Sequence, residues 1–192
     1  DQGQLTGEHD YYDKRWMYEE SLSMPFIVRY PPAIKAGLTS DAMITNVDFA
    51  PTLIELAGGE APESMQGHSF KTMIHGGDTP DDWREAVYYR YWMQLAHHYV
   101  PAHYGIRTAD YKLIFYYGLP LDATDAVQEK SKPGWQFFDL HSDPDETIDL
   151  YRDPNFSATI ASLKDQLLAL KAEVGDTDEG YPELMAVRDQ VW

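Results

Sequence analysis

Four short runs of aromatic and β-branched residues dominate the second half of the sequence. They cover residues 86–92, 103–108, 111–117 and 135–140, and turn-forming residues separate them. Runs of this composition, bounded by turns, are typical of antiparallel strands. Only Ala109 and Asp110 lie between the second and third runs, so these two are expected to form a hairpin. The pattern therefore predicts a small antiparallel sheet.

One amphipathic helix is predicted after this sheet, over residues 157–174. Its apolar residues recur at steps of three and four, and they are Ile160, Leu163, Leu167, Leu170 and Val174. Ser157 is suited to capping the start, and Gly175 is suited to ending the helix. We expect this helix to cover one face of the sheet. Residues 176–192 carry five acids against Arg188 and predict an acidic tail on the surface.

The first part of the chain has the pattern of an α/β domain. Residues 24–30 form a continuous apolar run, as in a strand that is covered on both faces. Residues 46–59 predict a short helix, with Asp48 at its start and two glycines at its end. We expect residues 1–60 to be the C-terminal end of a catalytic α/β domain and residues 61–84 to connect it to the next domain. Residues 85–175 are expected to form a C-terminal subdomain of antiparallel sheet plus helix, and residues 176–192 the acidic tail.

Charge and composition argue against several classes of protein. The formal net charge is -17 and there is no basic run, so nucleic acid is not an expected partner. No apolar stretch has the length of a membrane span. The chain has no cysteine, and so no disulfide, zinc thiolate or cysteine nucleophile. Because the sequence starts at Asp1 without a methionine or signal peptide, we expect the N-terminal half of the protein to lie upstream.

Four residues near the start offer groups that suit an anionic substrate. Asp1 and Gln2 present oxygen ligands of the kind that Ca²⁺ and Mg²⁺ prefer, although two are too few to fill a coordination shell. Lys14 has the charge to clamp the oxygens of a tetrahedral anion, and His9 can donate to a substrate hydroxyl or leaving oxygen. Taken singly, each residue is more typical of an ordinary polar surface than of a functional site.

The predicted sheet offers two further candidates. His103 and Arg107 are four residues apart on one strand, so their side chains share a face and are able to line a groove; a solvated face is the alternative. His97 and His98, with His103, lack the helical spacing and paired carboxylate of a transition-metal site, which argues against one. The tyrosine-rich strands suit either a sugar-stacking surface or a sheet core.

The ordered set of short motifs resembles the C-terminal half of type I sulfatases, in the polysaccharide and mucopolysaccharide branch. The motifs are Asp1-Gln-Gly, Gly7-Glu-His9, Tyr12-Asp-Lys14-Arg, Tyr18-Glu-Glu-Ser-Leu, Pro25-Phe-Ile-Val-Arg-Tyr-Pro31, Asp48-Phe-Ala-Pro-Thr-Leu, His103-Tyr-Gly-Ile-Arg-Thr, Tyr111-Lys-Leu-Ile, Phe138-Asp-Leu and Asp143-Pro-Asp-Glu. The resemblance covers nearly the whole chain, up to about Gly175. It implies an α/β fold similar to alkaline phosphatase, here its C-terminal part, with a small antiparallel sheet packed by a C-terminal helix.

The resemblance also implies roles for the matching residues. Asp1 and Gln2 would be Ca²⁺ ligands, and Lys14 would contact the sulfate oxygens of a sulfated carbohydrate. His9, His103 and Arg107 would bind the sugar. The family's nucleophile is a formylglycine made from a Cys or Ser, which is expected upstream and is not in this chain. The fragment alone is thus predicted to be inactive, and the full enzyme to be periplasmic or secreted.

Two alternatives remain open from the residues. One is a phosphatase or phosphonate hydrolase with the same fold, because related metal sites serve phosphoryl transfer. The other is a non-catalytic carbohydrate-binding module in which Asp1 and Lys14 have no catalytic role. The identity of the nucleophile separates the first alternative from a sulfatase, and metal-independent sugar binding would favour the second.

Overall fold

The computed structural model describes residues 2–192, which form two compact units. One unit is Pro25–Glu85, and the other combines Gln2–Met24 with Ala86–Trp192. Asp1, a predicted metal ligand, lies outside the described residues. Among residues 2–192, no helix combines the length and the apolar composition that crossing a bilayer requires.

A four-stranded antiparallel sheet forms the centre of the larger unit. Its strands, in spatial order, are β3 (Ala86–Tyr91), β4 (His103–Thr108), β5 (Tyr111–Tyr116) and β6 (Gly134–Asp139). Neighbouring strands are also neighbours in sequence, as in a simple meander. The two-residue connection between β4 and β5 is the hairpin that the sequence predicts. The predicted sheet is thus confirmed.

One face of the sheet carries the main hydrophobic core. Tyr104, Ile106, Phe115 and Phe137 point from the strands into this core and are fully buried. Helix α4 (Ser157–Glu173) covers this face through Ile160, Leu163 and Leu167. The residue that follows its C-cap, Gly175, has φ +73°, a conformation that glycine adopts without a Cβ penalty. The predicted helix and its place on the sheet are confirmed.

The final residues are not the irregular surface tail that their acidic composition predicts. Helix α5 (Pro182–Val191) packs on the main core through Leu184, which is fully buried. Asp178 is also fully buried, and it accepts hydrogen bonds from the Tyr104 hydroxyl at 2.7 Å and the Arg188 guanidinium at 2.9 Å. The Lys171 ammonium lies 3.1 Å from the same carboxylate. These partners compensate the buried charge and let the segment fold onto the sheet.

The opposite face of the sheet is covered by the N-terminal segment of the same unit. This segment contains β1 (Leu5–Thr6), β2 (Tyr12–Asp13) and the short helix α1 (Glu19–Leu22). Trp16, Met17 and Tyr18 are buried in a second core that includes Ile114 and Phe138 of the sheet. Gly105 makes room for this packing, since a Cβ there would lie 2.6 Å from the Met17 sulfur. The predicted site residues of the larger unit therefore lie either on this N-terminal segment or on the sheet face that it covers.

The smaller unit contains α2 (Phe49–Leu56) and α3 (Lys71–Ile74). A 3₁₀ turn over Asn46–Asp48 precedes α2, and the buried Asp48 carboxylate accepts the Thr45 amide at 2.7 Å as the third residue of a capping box. Asp48 stands at the start of α2 as predicted, but its side chain makes no capping hydrogen bond to that helix. The predicted strand over residues 24–30 is wrong: the run is irregular, and Ile27 is 91% exposed. A strand needs hydrogen-bonded neighbours, and within the described residues no strand pairs with it.

Candidate functional site

The first residues are fixed against the second face of the sheet. The Gly3 amide donates to the Ser21 carbonyl at 3.0 Å, and a Cβ on Gly3 would collide with the Glu20 carbonyl. The side chain of Gln2 hydrogen bonds to Tyr89 of β3. The Tyr89 hydroxyl in turn donates to the Arg15 carbonyl at 2.9 Å. The predicted metal ligand Gln2 is therefore held close to the residue that follows Lys14.

Lys14 directly follows β2 of the small hairpin. In this hairpin Leu5 pairs with Asp13 and Thr6 with Tyr12. The Asp13 carboxylate is almost fully buried and forms an ion pair of 2.5 Å with Arg15. The Arg15 charge is thus turned toward Asp13, while Lys14 between them is partly exposed. This arrangement fixes the backbone on both sides of the predicted sulfate-contacting residue.

His9 lies in the turn that joins β1 to β2. Its backbone is left-handed, with φ 54°, and it follows Gly7 at φ 141°. The imidazole stacks on the Tyr18 ring, with 4.1 Å between centroids, and its Nε2 lies 3.5 Å from a Glu20 oxygen. A left-handed non-glycine residue costs free energy that the surrounding contacts must supply. The ring of His9 is consequently held in one orientation on the same segment as Lys14.

His103 occupies the interior of the larger unit and lines neither the groove nor the solvated face that we expect from the sequence. Its side chain is fully buried between aromatic rings, including those of Trp16, Tyr91 and Tyr116. The cause is the packing of Trp16 and its neighbours over this face of β4. Nδ1 lies 2.7 Å from the Pro101 carbonyl oxygen, so it is the nitrogen that carries the proton. Burial lowers the pKa of His103 from its ordinary 6.5 to about 4.

The buried imidazole should make the larger unit less stable in mild acid. The folded pKa is the lower one, so between about pH 6.5 and 4 the unfolded chain binds more protons and stability falls as pH falls. From pH 7 to 5 this group alone should remove about 2 kcal/mol of unfolding free energy. Denaturation at both pH values checks this, with His103→Gln as the non-titrating comparison. An equal pH dependence in the two proteins would contradict the prediction.

Arg107 joins a network of charges next to α1. Its guanidinium binds Glu19 at 3.1 and 3.3 Å. The fully buried Lys112 ammonium lies 2.8 Å from Glu19 and 2.7 Å from Glu146. Glu146 also accepts the backbone amide of Glu19 at 2.7 Å. The network therefore ties the start of α1, five residues after Lys14, to the middle of the sheet.

Burial and neighbouring charge shift the two carboxyl groups of this network in opposite directions. Burial alone would raise the pKa of Glu19, but Lys112 and Arg107 outweigh it and hold that pKa below its usual value. For Glu146 burial prevails over the attraction of Lys112, and its pKa is raised. Arg107 has its charge committed to Glu19, so any contact that it makes with a substrate anion must compete with this pair.

The structure brings the predicted residues of the larger unit to one side of the sheet. Gln2, His9 and Lys14 come from the covering segment, and His103 and Arg107 point toward it from β4. Sequence reasoning missed Lys112 and Glu146. A lysine inside an apolar strand was a signal for the first, whereas nothing in the turn sequence around Glu146 indicates a buried carboxylate. Among residues 2–192 no group of three or more histidine or carboxylate side chains is arranged for metal binding.

Comparison with known proteins identifies close relatives. A family profile described as N-sulphoglucosamine sulphohydrolase, C-terminal, matches residues 7–173. The chain is 42% identical to an N-acetylglucosamine-6-O-sulfatase of Bacteroides thetaiotaomicron over 184 residues, which are 95% of this chain and 31% of that protein. It is 31% identical to arylsulfatase K of Rattus norvegicus, over 87% of this chain and 28% of that protein. The chain thus spans about a third of the length of these curated relatives.

Two solved structures are similar to this chain. The structure of BT4656 in complex with its substrate D-glucosamine-2-N,6-O-disulfate has a TM-score of 0.81 at 41% identity, over 94% of this chain and 34% of that chain. A phosphonate monoester hydrolase of Silicibacter pomeroyi has a TM-score of 0.71 at 22% identity, over 90% of this chain and 33% of that chain, and so shows the fold alone. The predicted alkaline-phosphatase-like sulfatase fold and the sulfatase resemblance are confirmed.

Proposed function

The chain belongs to the family described as N-sulphoglucosamine sulphohydrolase, C-terminal, and on this premise we propose that it is the C-terminal part of a sulfatase. The proposed substrate is a sulfate ester on a glucosamine-containing carbohydrate. The observation that carries the proposal is the 42% identity to an N-acetylglucosamine-6-O-sulfatase across 95% of the chain. The substrate in the complex of the similar solved structure, glucosamine disulfate, supports the same sugar class.

In this proposal Lys14 contacts the sulfate oxygens. Negative charge develops on the leaving oxygen during sulfuryl transfer, and a fixed ammonium beside the sulfate stabilises it most where water is excluded. The hairpin register and the ion pair of Asp13 with Arg15 support this role, because they fix the backbone on both sides of Lys14. His9, whose ring is held by Tyr18 and Glu20, is proposed to donate to the sugar.

The two residues on β4 take different parts in the proposal. Arg107 is proposed to hold the start of α1 in place through its ion pair with Glu19. The partly exposed side of its guanidinium is proposed to contact the sugar. His103 is fully buried, so it is proposed to act on the site through the residues that pack against it. Its neutral ring supports Trp16 and Tyr89, and Tyr89 is the hydrogen-bond partner of Gln2.

A Ca²⁺ ion is proposed to bind at Gln2 together with Asp1 and with ligands from the rest of the protein. The carboxamide oxygen of Gln2 fits calcium, which prefers hard oxygen ligands, but it supplies one position out of six to eight. When bound, the ion would orient the sulfate and neutralise its charge. The nucleophile is proposed to be a formylglycine from the part of the protein that precedes this chain. The full-length enzyme is proposed to act in the periplasm or outside the cell.

The apolar run over residues 24–30 supports the view that this chain is one part of a larger fold. Ile27 is 91% exposed and Phe26 is 45% exposed. Neighbouring apolar residues on a free surface are rarely kept without a partner. We propose that another part of the protein covers these exposed side chains.

Calcium removal tests the proposal in the protein that contains this chain. Treatment with a chelator should lower sulfate release from glucosamine-2-N,6-O-disulfate by more than about tenfold, and added Ca²⁺ should restore it, because the ion neutralises substrate charge. Mg²⁺ should restore less, since it demands a smaller and stricter octahedral site. Sulfate release that is unchanged after exhaustive chelation would refute the calcium site, and no sulfate release with calcium present would refute the function.

A further inference from the structure

The loop between β3 and β4 presents an unusual group of exposed rings. His97 and His98 are exposed, and Tyr99 is 80% exposed. A tyrosine side chain is large and mostly apolar, so such exposure leaves much ring surface in water. None of these three side chains has a part in the site described above. The spacing of the two histidines also argues against a transition-metal site.

This loop is nevertheless built on a rigid base. The Gln94 side chain is fully buried, accepts the Ala102 amide at 2.7 Å and donates to the Glu129 carbonyl at 3.0 Å. Across the loop, the Leu95 amide donates to the Val100 carbonyl at 2.9 Å, and Val100 is itself fully buried. The exposed residues 97–99 are therefore the tip of a pinned turn.

The backbone of this turn is strained at several residues. Leu95, His98 and Tyr99 have φ values of 54°, 50° and 56°. Left-handed conformations are uncommon outside glycine and cost free energy at each residue. Two of them occur at consecutive residues whose side chains are exposed. Strain that the surrounding structure maintains in this way is found preferentially at binding sites.

The turn lies next to the hairpin that carries Lys14. The His98 ring contacts the Tyr12 ring edge to face, with 6.3 Å between centroids. Tyr12 is 63% exposed and is two residues before Lys14. Through the His98 ring, the turn thus adjoins the hairpin that carries Lys14 within one unit.

We propose that Tyr12, His98 and Tyr99 form a carbohydrate-binding subsite beside the sulfate position; this inference rests on the proposed function. The apolar C–H face of a sugar ring packs on the Tyr99 ring, while the His98 imidazole and Tyr12 hydroxyl exchange hydrogen bonds with sugar hydroxyls. Binding sites for small ligands combine aromatic surface with a few convergent polar groups in this way. Three rings with polar edges match one sugar unit, whereas a protein partner would require about 800 Å².

Affinity for sugars tests the subsite in the protein that contains this chain. Calorimetry would measure dissociation constants for unsulfated D-glucosamine and, in chelator-treated protein in which turnover is suppressed, for D-glucosamine-2-N,6-O-disulfate. Tyr99→Ala should weaken both by about three- to tenfold, because an aromatic contact contributes on that scale. Tyr99→Phe keeps the ring and should stay within about twofold of wild type. Ile148→Ala, which truncates another exposed apolar side chain of this unit, should change neither constant.

A pair of variants separates lost binding from lost folding. Tyr99→Gly should melt at a higher temperature than Tyr99→Ala, because glycine relieves the left-handed backbone, yet both should bind sugar equally weakly. Equal affinity of wild type and Tyr99→Ala would overturn the subsite, as would the absence of binding of either sugar by wild type. A lower melting temperature of Tyr99→Ala with unchanged affinity would also overturn it, by assigning the ring to packing.

The outcomes distinguish the subsite from the proposed function. Sulfate release by wild type with no dependence of affinity on Tyr99 would refute the subsite alone. Tyr99-dependent binding of both sugars without sulfate release would support the subsite and refute the sulfatase proposal.

Discussion

Replacing Lys112 with methionine is expected to lower the unfolding free energy of the larger unit by about 3–5 kcal/mol. Lys112 is fully buried, and its ammonium lies within 2.8 Å of both Glu19 and Glu146. Methionine has a similar length but no charge, so the buried Glu146 carboxylate would lose its charged partner. It would then repel Glu19, which is partly exposed and keeps only its pair with Arg107. Removal of one partner from a buried ionic group is among the most destabilising changes known.

Because Lys112, Glu19 and Glu146 link the sheet to α1, the loss of stability in Lys112→Met should also appear in the segment that carries the proposed site. Glu19 begins α1, and its backbone amide is bound by Glu146. Hydrogen exchange in Lys112→Met should therefore accelerate in β5 and in residues 16–22. Lys130→Met is the matched control, because Lys130 is 64% exposed and pairs with Glu183 at 3.5 Å. That control should cost less than about 1 kcal/mol. A similar small loss in both variants would contradict the importance assigned to the buried network.

Replacing Lys14 with alanine is expected to lower kcat/KM for sulfate release by about 10²–10³-fold in the protein that contains this chain. The ammonium is proposed to contact the sulfate oxygens, and loss of one fixed charge-stabilising donor has effects of this size. The fold should persist, because Lys14 is partly exposed and the hairpin is held by Asp13 and by the packing of Trp16. Steady-state kinetics with glucosamine-2-N,6-O-disulfate measure the effect.

Two variants serve as controls for Lys14→Ala. Lys132→Ala removes an exposed lysine elsewhere in the same unit and should leave kcat/KM unchanged. Lys14→Arg retains the charge but places it on a planar fork, and should recover only part of the activity. If Lys14→Ala keeps more than about a third of wild-type kcat/KM, against the expected 10²–10³-fold loss, the ammonium does not clamp the sulfate.

Local patterns predicted the sheet and helix of the larger unit because those elements carry their own signals. Runs of aromatic and β-branched residues bounded by turns indicate strands, and apolar steps of three and four indicate α4. The prediction failed where distant contacts decide the outcome. Residues 24–30 have a strand composition but no pairing partner among the described residues. The acids of residues 176–192 suggested a solvated tail, yet Lys171 and Arg188 compensate Asp178 and allow α5 to pack. How the chain divides into domains stays a prediction.

The candidate site was predicted as a set of motifs but not as a geometry. The sequence indicated Gln2, His9 and Lys14, and the hairpin brings them to one segment. It indicated that His103 and Arg107 share a face, but the burial of His103 depends on Trp16, which is distant in sequence. The roles of these residues in binding remain predictions. The buried charge network of Lys112, Glu19 and Glu146 leaves no periodic signal in the sequence, because each partner comes from a different part of the chain.

A comparison of two substrates tests the central proposal most directly. The protein that contains this chain would be assayed with glucosamine-2-N,6-O-disulfate and with a phosphonate monoester, and kcat/KM would be determined for each. The sulfatase proposal predicts release of sulfate with a kcat/KM at least about a hundredfold above that for the phosphonate, a transition-state difference of about 2.7 kcal/mol. Preferential hydrolysis of the phosphonate, or turnover of neither substrate, would contradict it.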